Sequence, residues 1–237
     1  MPGYLTKQQW VAVAGVDDLL IRSLLDRDQF SDPFGDAARL GISSAAWPLF
    51  GLLWPSGAQL AARLGQRRVL PAERILEVGC GLALASLVGH RRGADVTASD
   101  GHPLAAAFLA ENLRLNGLGP LKYRHGHWAD APAPPARGRG ERARSVRGRF
   151  ELIVGSDLLY ERDDEGLLAA FIGRHAADAA EVWIVDPDRG NRPAFHRRMA
   201  ALGFGRDEQR LDAPARDGGA AYKGRLLSYH RSAADAR

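Results

Sequence analysis

Between residues 74 and 203 the chain alternates short apolar runs with helical stretches, and that alternation restricts its fold more than any other feature. Residues 74–78 read as a strand, followed by glycines and a helix over 82–90. Residues 95–99 form a second strand, with a helix over 103–116 that stops at Gly117, and 121–125 form a third. Strands over 151–156 and 181–186 follow, each with its helix, 163–175 and 193–202. Strands separated by helices of this length need crossover connections, which impose a mainly parallel sheet. After Gly203 the pattern changes to two strands, 204–211 and 225–230. The turn Asp217-Gly218-Gly219 between them points to a hairpin closing the sheet edge.

The N-terminal part reads as helical. Asp17 or Asp18 would cap a helix with Leu19, Leu20, Leu24 and Leu25 as its apolar stripe, ending near Phe30. A turn, Ser31-Asp32-Pro33-Phe34-Gly35, precedes an apolar patch over 45–55 that its prolines keep from being one helix. A helix then runs from Ser56 to Gly65. Residues 131–149 open with Ala-Pro-Ala-Pro-Pro and carry arginines at 137, 139, 142, 144, 147 and 149, and this reads as a flexible, basic surface insertion.

Apolar residues make up 46% of the 237 and charged residues 25%, the balance of a globular domain rather than a disordered or fibrous chain. The net charge of +4 rests on arginine, since the only lysines are Lys7, Lys122 and Lys223. A GC-rich genome would leave this mark, and so would attraction to acidic partners. The single cysteine, Cys80, excludes an internal disulfide framework. With no N-terminal secretory pattern and no run of 18 apolar residues, the expectation is a cytoplasmic protein without a membrane partner. The histidines show no metal-ligand spacing, and Cys80, between two glycines, has no readable His–acid arrangement to make it a nucleophile.

The segment Ile75-Leu76-Glu77-Val78-Gly79-Cys80-Gly81-Leu82-Ala83 carries the chemistry. A buried strand runs into two glycines and then a helix, at the carboxyl edge where such sheets bind ligands; glycines turn tightly and leave backbone bare for a ligand. A dinucleotide fingerprint would place a third glycine where Leu84 stands. Glu77, two residues before Gly79, suits a ligand with an ammonium and a sulfonium and is badly placed beside a pyrophosphate. The expected cofactor is therefore S-adenosylmethionine. Asp100, at the end of the second strand and followed by Gly101, can accept both ribose hydroxyls; capping the next helix is the alternative. His102 shapes that turn or flanks the ribose. Trp128 can stack on adenine, with Asp130 reaching the amino group, or Trp128 can simply pack.

Gly155-Ser156-Asp157-Leu158-Leu159-Tyr160-Glu161 follows the fourth strand, beside the first. Methyl transfer to nitrogen needs an uncharged lone pair and a dry, aligned site. Asp157 could orient or deprotonate an amine, or hold the methionine part of the donor, and Tyr160 could supply a hydrogen bond and an aromatic wall. Trp54-Pro55-Ser56-Gly57 lies over the same pocket, while Trp47 and Phe50 either line it or fill the core. Arg189, Asn191 or Arg192 could recognise substrate, though Asn191 also suits a helix cap.

These motifs resemble class I S-adenosylmethionine-dependent methyltransferases, and within them the seven-beta-strand family 16 group, which includes protein-lysine methyltransferases. The resemblance rests on Leu53–Gly57, 75–83, 97–100, Glu111-Asn112-Leu113-Arg114-Leu115-Asn116, Trp128 and Ser156–Tyr160, within residues 45–230. It implies a doubly wound, Rossmann-like α/β fold with seven mostly parallel strands in the order 3-2-1-4-5-7-6, the seventh antiparallel. The chain as a whole is expected to divide into a helical N-terminal extension over 1–53, a cofactor-binding domain over 54–230 and a disordered tail over 231–237. The resemblance implies that Glu77, Gly79 and Gly81 surround the donor, that Asp100 binds its ribose, that Trp128 packs near adenine and that Asp157 and Tyr160 border the catalytic channel; with these, Trp54, Cys80, Gly101, Ser156 and Asp157 complete the expected cofactor site. S-adenosylhomocysteine would be the product, and no metal is implied. Ala83 replaces a third glycine common in relatives. The acceptor is a protein lysine or a small nitrogenous molecule. Nucleic acid is the alternative, favoured by the basic insertion and opposed by Ser-Asp-Leu-Leu-Tyr in place of an Asn-Pro-Pro-Tyr type motif. A binding module without catalysis is the remaining option.

Overall fold

The computed structural model describes residues 3–129, 145–214 and 221–233. In chain order, the hairpin β1 (Thr6–Val11) and β2 (Leu19–Leu24) precedes the short α1 (Asp36–Arg39), a 3-10 turn (Trp47–Gly51) and α2 (Pro55–Gln66). The alternating part follows: β3 (Arg74–Val78), α3 (Leu84–Arg91), β4 (Asp95–Asp100), α4 (Ala105–Leu115) and β5 (Lys122–His125). Then come β6 (Phe150–Ser156), α5 (Leu167–His175), β7 (Ala176–Asp186), α6 (Arg192–Ala201), β8 (Gly205–Arg210) and β9 (Arg225–Arg231).

Seven strands form one sheet in the order β5-β4-β3-β6-β7-β9-β8. Counted from β3, this is the expected 3-2-1-4-5-7-6, with β9 antiparallel to both neighbours and the other pairings parallel. Burial explains why the central strands read as continuous apolar runs. Ile75 to Val78 and Leu152 to Gly155 are buried at every position, because helices cover both faces. From β3 the chain moves outward to β4 and β5, then returns to β6 on the other side of β3. A topological switch point therefore lies between the carboxyl ends of β3 and β6, where an open sheet leaves a crevice.

The N-terminal extension corrects the helical expectation. Residues 19–24 form a strand, paired antiparallel from Thr6↔Leu24 to Val11↔Leu19. Leu19, Ile21 and Ser23 point inward with period two, and Leu25 is exposed. Leucines at 19, 20, 24 and 25 fit a helical stripe as well as a strand, and tertiary contacts decide. On α4, Asn112 accepts a hydrogen bond from Arg22 N (2.8 Å) and Asn116 one from Leu20 N (2.9 Å). Their amide groups donate back to the carbonyls of the same two residues, at 3.4 and 2.8 Å. Leu19, Ile21 and Leu24 join the core around Trp47 and Phe50.

Residues 130–144, and so most of the expected insertion, lie outside the described residues, as do 234–237 of the expected tail. The described end of the insertion is anchored rather than loose: Ser145 bridges to His125, Val146 is buried, and Arg149 donates to Ala176 O. Arg231 likewise belongs to β9 and donates to the carbonyls of Leu202 and Ala177. Among the described residues no helix is long and apolar enough to cross a membrane.

Candidate active site

The chain leaves β3 through three left-handed residues in five, Gly79 (φ 57°), Gly81 (φ 52°) and Ala83 (φ 60°), and enters α3. The missing side chains make room for protein rather than for open ligand space. A Cβ on Gly79 would stand 2.5 Å from Leu158 Cδ2, and one on Gly81 2.8 Å from the Phe50 carbonyl oxygen. The tight turn is as expected, but the clearance that the sequence assigned to a ligand is filled by the segments beneath the loop. Ala83 holds its conformation with a Cβ, at a cost of about 1 kcal/mol.

Two buried carboxylates flank this loop. Glu77 Oε2 accepts hydrogen bonds from Ser86 N (2.8 Å) and from the Ser86 hydroxyl. Burial, with the negative Asp100 nearby, raises the Glu77 pKa to about 7 despite those donors. Asp100 Oδ2 accepts from Gly81 N (2.8 Å) and Oδ1 from His102 N (2.7 Å), and burial raises its pKa as well. Asp100 thus ties the tip of β4 to the glycine loop. It does not cap α4, whose N-cap is Leu104. The Gly101 N–H also favours the Asp100 carboxylate, and with about four acceptor sites on a carboxylate Asp100 keeps some acceptor capacity.

All the cofactor-site and catalytic-channel residues read from the sequence line one cavity of ≈ 480 Å³ at this edge of the sheet: Trp54, Glu77, Gly79, Cys80, Gly81, Asp100, Gly101, Trp128, Ser156, Asp157 and Tyr160. Trp128 is half-buried, and Arg174 holds its carbonyl at 2.9 Å. Trp54 is 37% exposed at the mouth, with Nε1 donating to Leu49 O (2.9 Å). Burial pushes the Cys80 thiol up, which leaves it protonated and a poor nucleophile. His102 stacks on Phe50 at 3.7 Å and 9°, and burial lowers its pKa to about 3, so it is a neutral wall. Phe50 also lines the cavity, whereas Trp47 is core. Asp130 lies outside the described residues.

Several lining residues escaped the sequence reading. Leu40, Gly41, Ile42 and Ala46 form a wall contributed by the N-terminal extension, and nothing in their local pattern marks them as such. Leu158, beneath Gly79 and Gly155, supports the floor.

At the tip of β6, Asp157 is left-handed (φ 57°), with its N–H bonded to Val185 O (3.0 Å). Its Oδ1 stands 2.8 Å from Arg189 Nη1, while Oδ2 is buried without a hydrogen-bond partner. Of the three candidates after β7, Arg189 alone lines the cavity. Asn191 makes no capping hydrogen bond; it donates to the carbonyls of Leu159 and Glu161 and so fixes the segment carrying Tyr160. Arg192 pairs instead with Asp186, Asp188 and Glu208.

No protein-family model matches the chain. Among curated proteins it is similar to the mouse electron transfer flavoprotein beta subunit lysine methyltransferase, 25% identical over 145 residues, 60% of this chain and 51% of that protein. It is also similar to human histone-arginine methyltransferase METTL23, 27% identical over 141 residues, 55% of this chain and 67% of that protein. Against the mouse protein the chain therefore spans about half of its relative's length. Among solved structures it matches magnesium protoporphyrin IX methyltransferase from Synechocystis PCC 6803, determined with bound S-adenosylmethionine. The TM-score is 0.54 and the identity 17%, over 75% of this chain and 78% of that one, which shows a shared fold.

Proposed function

We propose that this chain, which has the fold of class I S-adenosylmethionine-dependent methyltransferases and resembles their family 16 group, methylates a nitrogen acceptor, a protein lysine ahead of a small nitrogenous molecule. The observation that carries the reading is the convergence of the sequence-chosen residues on one cavity at the switch point of the sheet.

The site fits the donor in its charge. Glu77 is buried with hydroxyl and amide donors and a neighbouring carboxylate, but its raised pKa has no cationic relief. A ligand ammonium would supply it. Asp100 has acceptor capacity left for a vicinal diol, and Trp128 offers an aromatic face for adenine. Gly79, Cys80, Gly81 and Gly101 present backbone, and Trp54 and Ser156 close the end nearest Asp157. Bound there, S-adenosylmethionine supplies a methyl group on a positively charged sulfur and departs as S-adenosylhomocysteine. The chain's own contribution is to hold the reactants in line and to exclude water. Asp157 and Tyr160 border the acceptor and orient its nitrogen. Both curated relatives are named for protein nitrogen acceptors, lysine in one and arginine in the other, which supports a protein substrate.

The test is transfer of a labelled methyl group from S-adenosylmethionine into fractionated cell extract, with the labelled product located by mass spectrometry. Label on a protein lysine is the expected result. Label confined to nucleic acid would overturn the acceptor, and no label in any fraction despite donor binding would favour a binding module.

A further inference from the structure

We propose that the groove between α6 and β8 docks an extended acidic segment of the protein acceptor, next to the cavity that receives the acceptor nitrogen. The inference rests on the methyl-transfer reading above. The groove encloses ≈ 600 Å³ and is lined by Arg192, His196 and Arg197 of α6, Arg206 and Glu208 of β8 and Arg225 of β9. It opens beside the acceptor end of the donor cavity: Arg192 Nε donates to Arg189 O (3.3 Å), and Arg189 lines that cavity. β8 is the last strand of the sheet, exposed at every position and paired, among the described residues, with β9 alone. Its outer edge presents backbone donors and acceptors to which an extended chain can add as a further strand.

The charge of the groove selects the kind of chain. Arg206, Glu208 and Arg210 share the α6 side of β8, while Asp207 faces the opposite side beside His230. Asp188 is shared by Arg192, Arg210 and Arg225 at 2.8–3.3 Å, and Glu208 by Arg192, Arg206 and Arg225 at 3.5–3.9 Å. Asp186, beside Arg192, and Asp212, beside Arg210, balance the remaining charge of these four arginines. Arg197 and Arg231 have no carboxylate partner among the described residues; Arg231 lies over Phe204 and donates to backbone carbonyls. A surplus of two positive charges therefore remains after every ion pair is counted. His196 adds none, since burial lowers its pKa between Tyr229 Oη (2.8 Å) and Glu208 (3.1 Å). Arg197 and Arg206 donate no hydrogen bond among the described residues, so their guanidiniums are open to the carboxylates of a ligand. Phe204, by contrast, is buried, so the groove offers no Phe, Tyr or Trp face on which a nucleic-acid base could stack.

Binding of labelled peptides, read by fluorescence anisotropy with S-adenosylhomocysteine present, tests this. The probe is a lysine followed by alternating glutamate and threonine. Its control has glutamine for every glutamate, and a uridine oligonucleotide is the nucleic-acid control. The parent should bind the glutamate peptide at least about tenfold more tightly than the glutamine peptide. Arg197→Glu/Arg206→Glu should lose that preference, whereas Arg27→Glu/Arg68→Glu, the same change of net charge at exposed arginines elsewhere, should keep it. Arg197→Gln/Arg206→Gln, which adds no repulsion, should fall between. All three variants should keep their affinity for S-adenosylhomocysteine, because none of these arginines lines its cavity. Equal losses in the groove and remote variants overturn the proposal. So does oligonucleotide binding tighter than peptide binding and dependent on Arg197 and Arg206, or a parent dimer that the groove variant dissociates. A parent that binds S-adenosylhomocysteine but shows no preference for glutamate overturns the groove alone; a parent that does not bind S-adenosylhomocysteine contradicts the methyl-transfer reading itself.

Discussion

At the scale of one residue, Glu77 carries a stability cost that a cationic ligand would relieve. Its pKa stands near 7 in the folded protein against an ordinary 4.5, because it is buried without a cation. Between those two values the folded chain holds a proton that the unfolded chain releases. Stability therefore falls as pH rises through that window and stays low above it. Glu77→Gln keeps the acceptor oxygen for Ser86 and cannot ionise. It should raise stability at pH 8 by about 2–3 kcal/mol, with no gain near pH 4, as melting temperatures across pH would show. The same change should weaken S-adenosylmethionine binding at pH 8 by at least about tenfold, and the parent's own affinity should fall as pH drops below about 7 and Glu77 is protonated. Asp157 needs a different substitution. Its left-handed backbone suits Asp and Asn but penalises Ala, so Asp157→Ala would mix strain with lost chemistry. Asp157→Asn should keep the melting temperature within a few degrees and lower methyl transfer about 10²-fold or more. Full activity in that variant would remove the carboxylate from the acceptor site.

The hairpin and α4 belong to the scale of elements. Asn112 and Asn116 are four residues apart on a helix, a rise of about 6 Å, and they meet residues two apart on β2, a rise of about 6.8 Å. The near-match lets two side-chain amides act as a third strand along β2. Asn112→Ala would leave the Arg22 N–H without its partner, costing about 1–3 kcal/mol and lowering the melting temperature by about 3–8 °C. Hydrogen exchange should quicken at Leu20 and Arg22 before the β3–β6 strands; unchanged exchange there would count against the strand-like pairing. These contacts span 90 and 96 residues, which is why the hairpin was not legible in the sequence: its leucines fit two periodicities, and the deciding partners lie far along the chain. The parallel strands were legible because burial on both faces leaves unbroken apolar runs such as Leu152-Ile153-Val154. The same reasoning applies to the site. Residues at strand tips could be placed from topology, as Glu77, Asp100 and Asp157 were. The wall at Leu40–Ile42 depends on how the extension folds over the sheet, which no local pattern encodes.

For the whole molecule, the order of the strands puts a crevice between β3 and β6, and the extension, the glycine loop and the β6 and β7 tips enclose it as one cavity. The central claim is that this cavity binds S-adenosylmethionine through Glu77 and Asp100. Titration calorimetry with S-adenosylmethionine at pH 8, on the parent and on Asp100→Asn, tests it most directly. The account predicts saturable one-to-one binding by the parent. Asp100→Asn should bind at least about tenfold more weakly, because it loses a charged acceptor for the ribose and sets an amide donor against the Gly81 or His102 N–H. No saturable heat with the parent, or equal affinity in a folded Asp100→Asn, would contradict it.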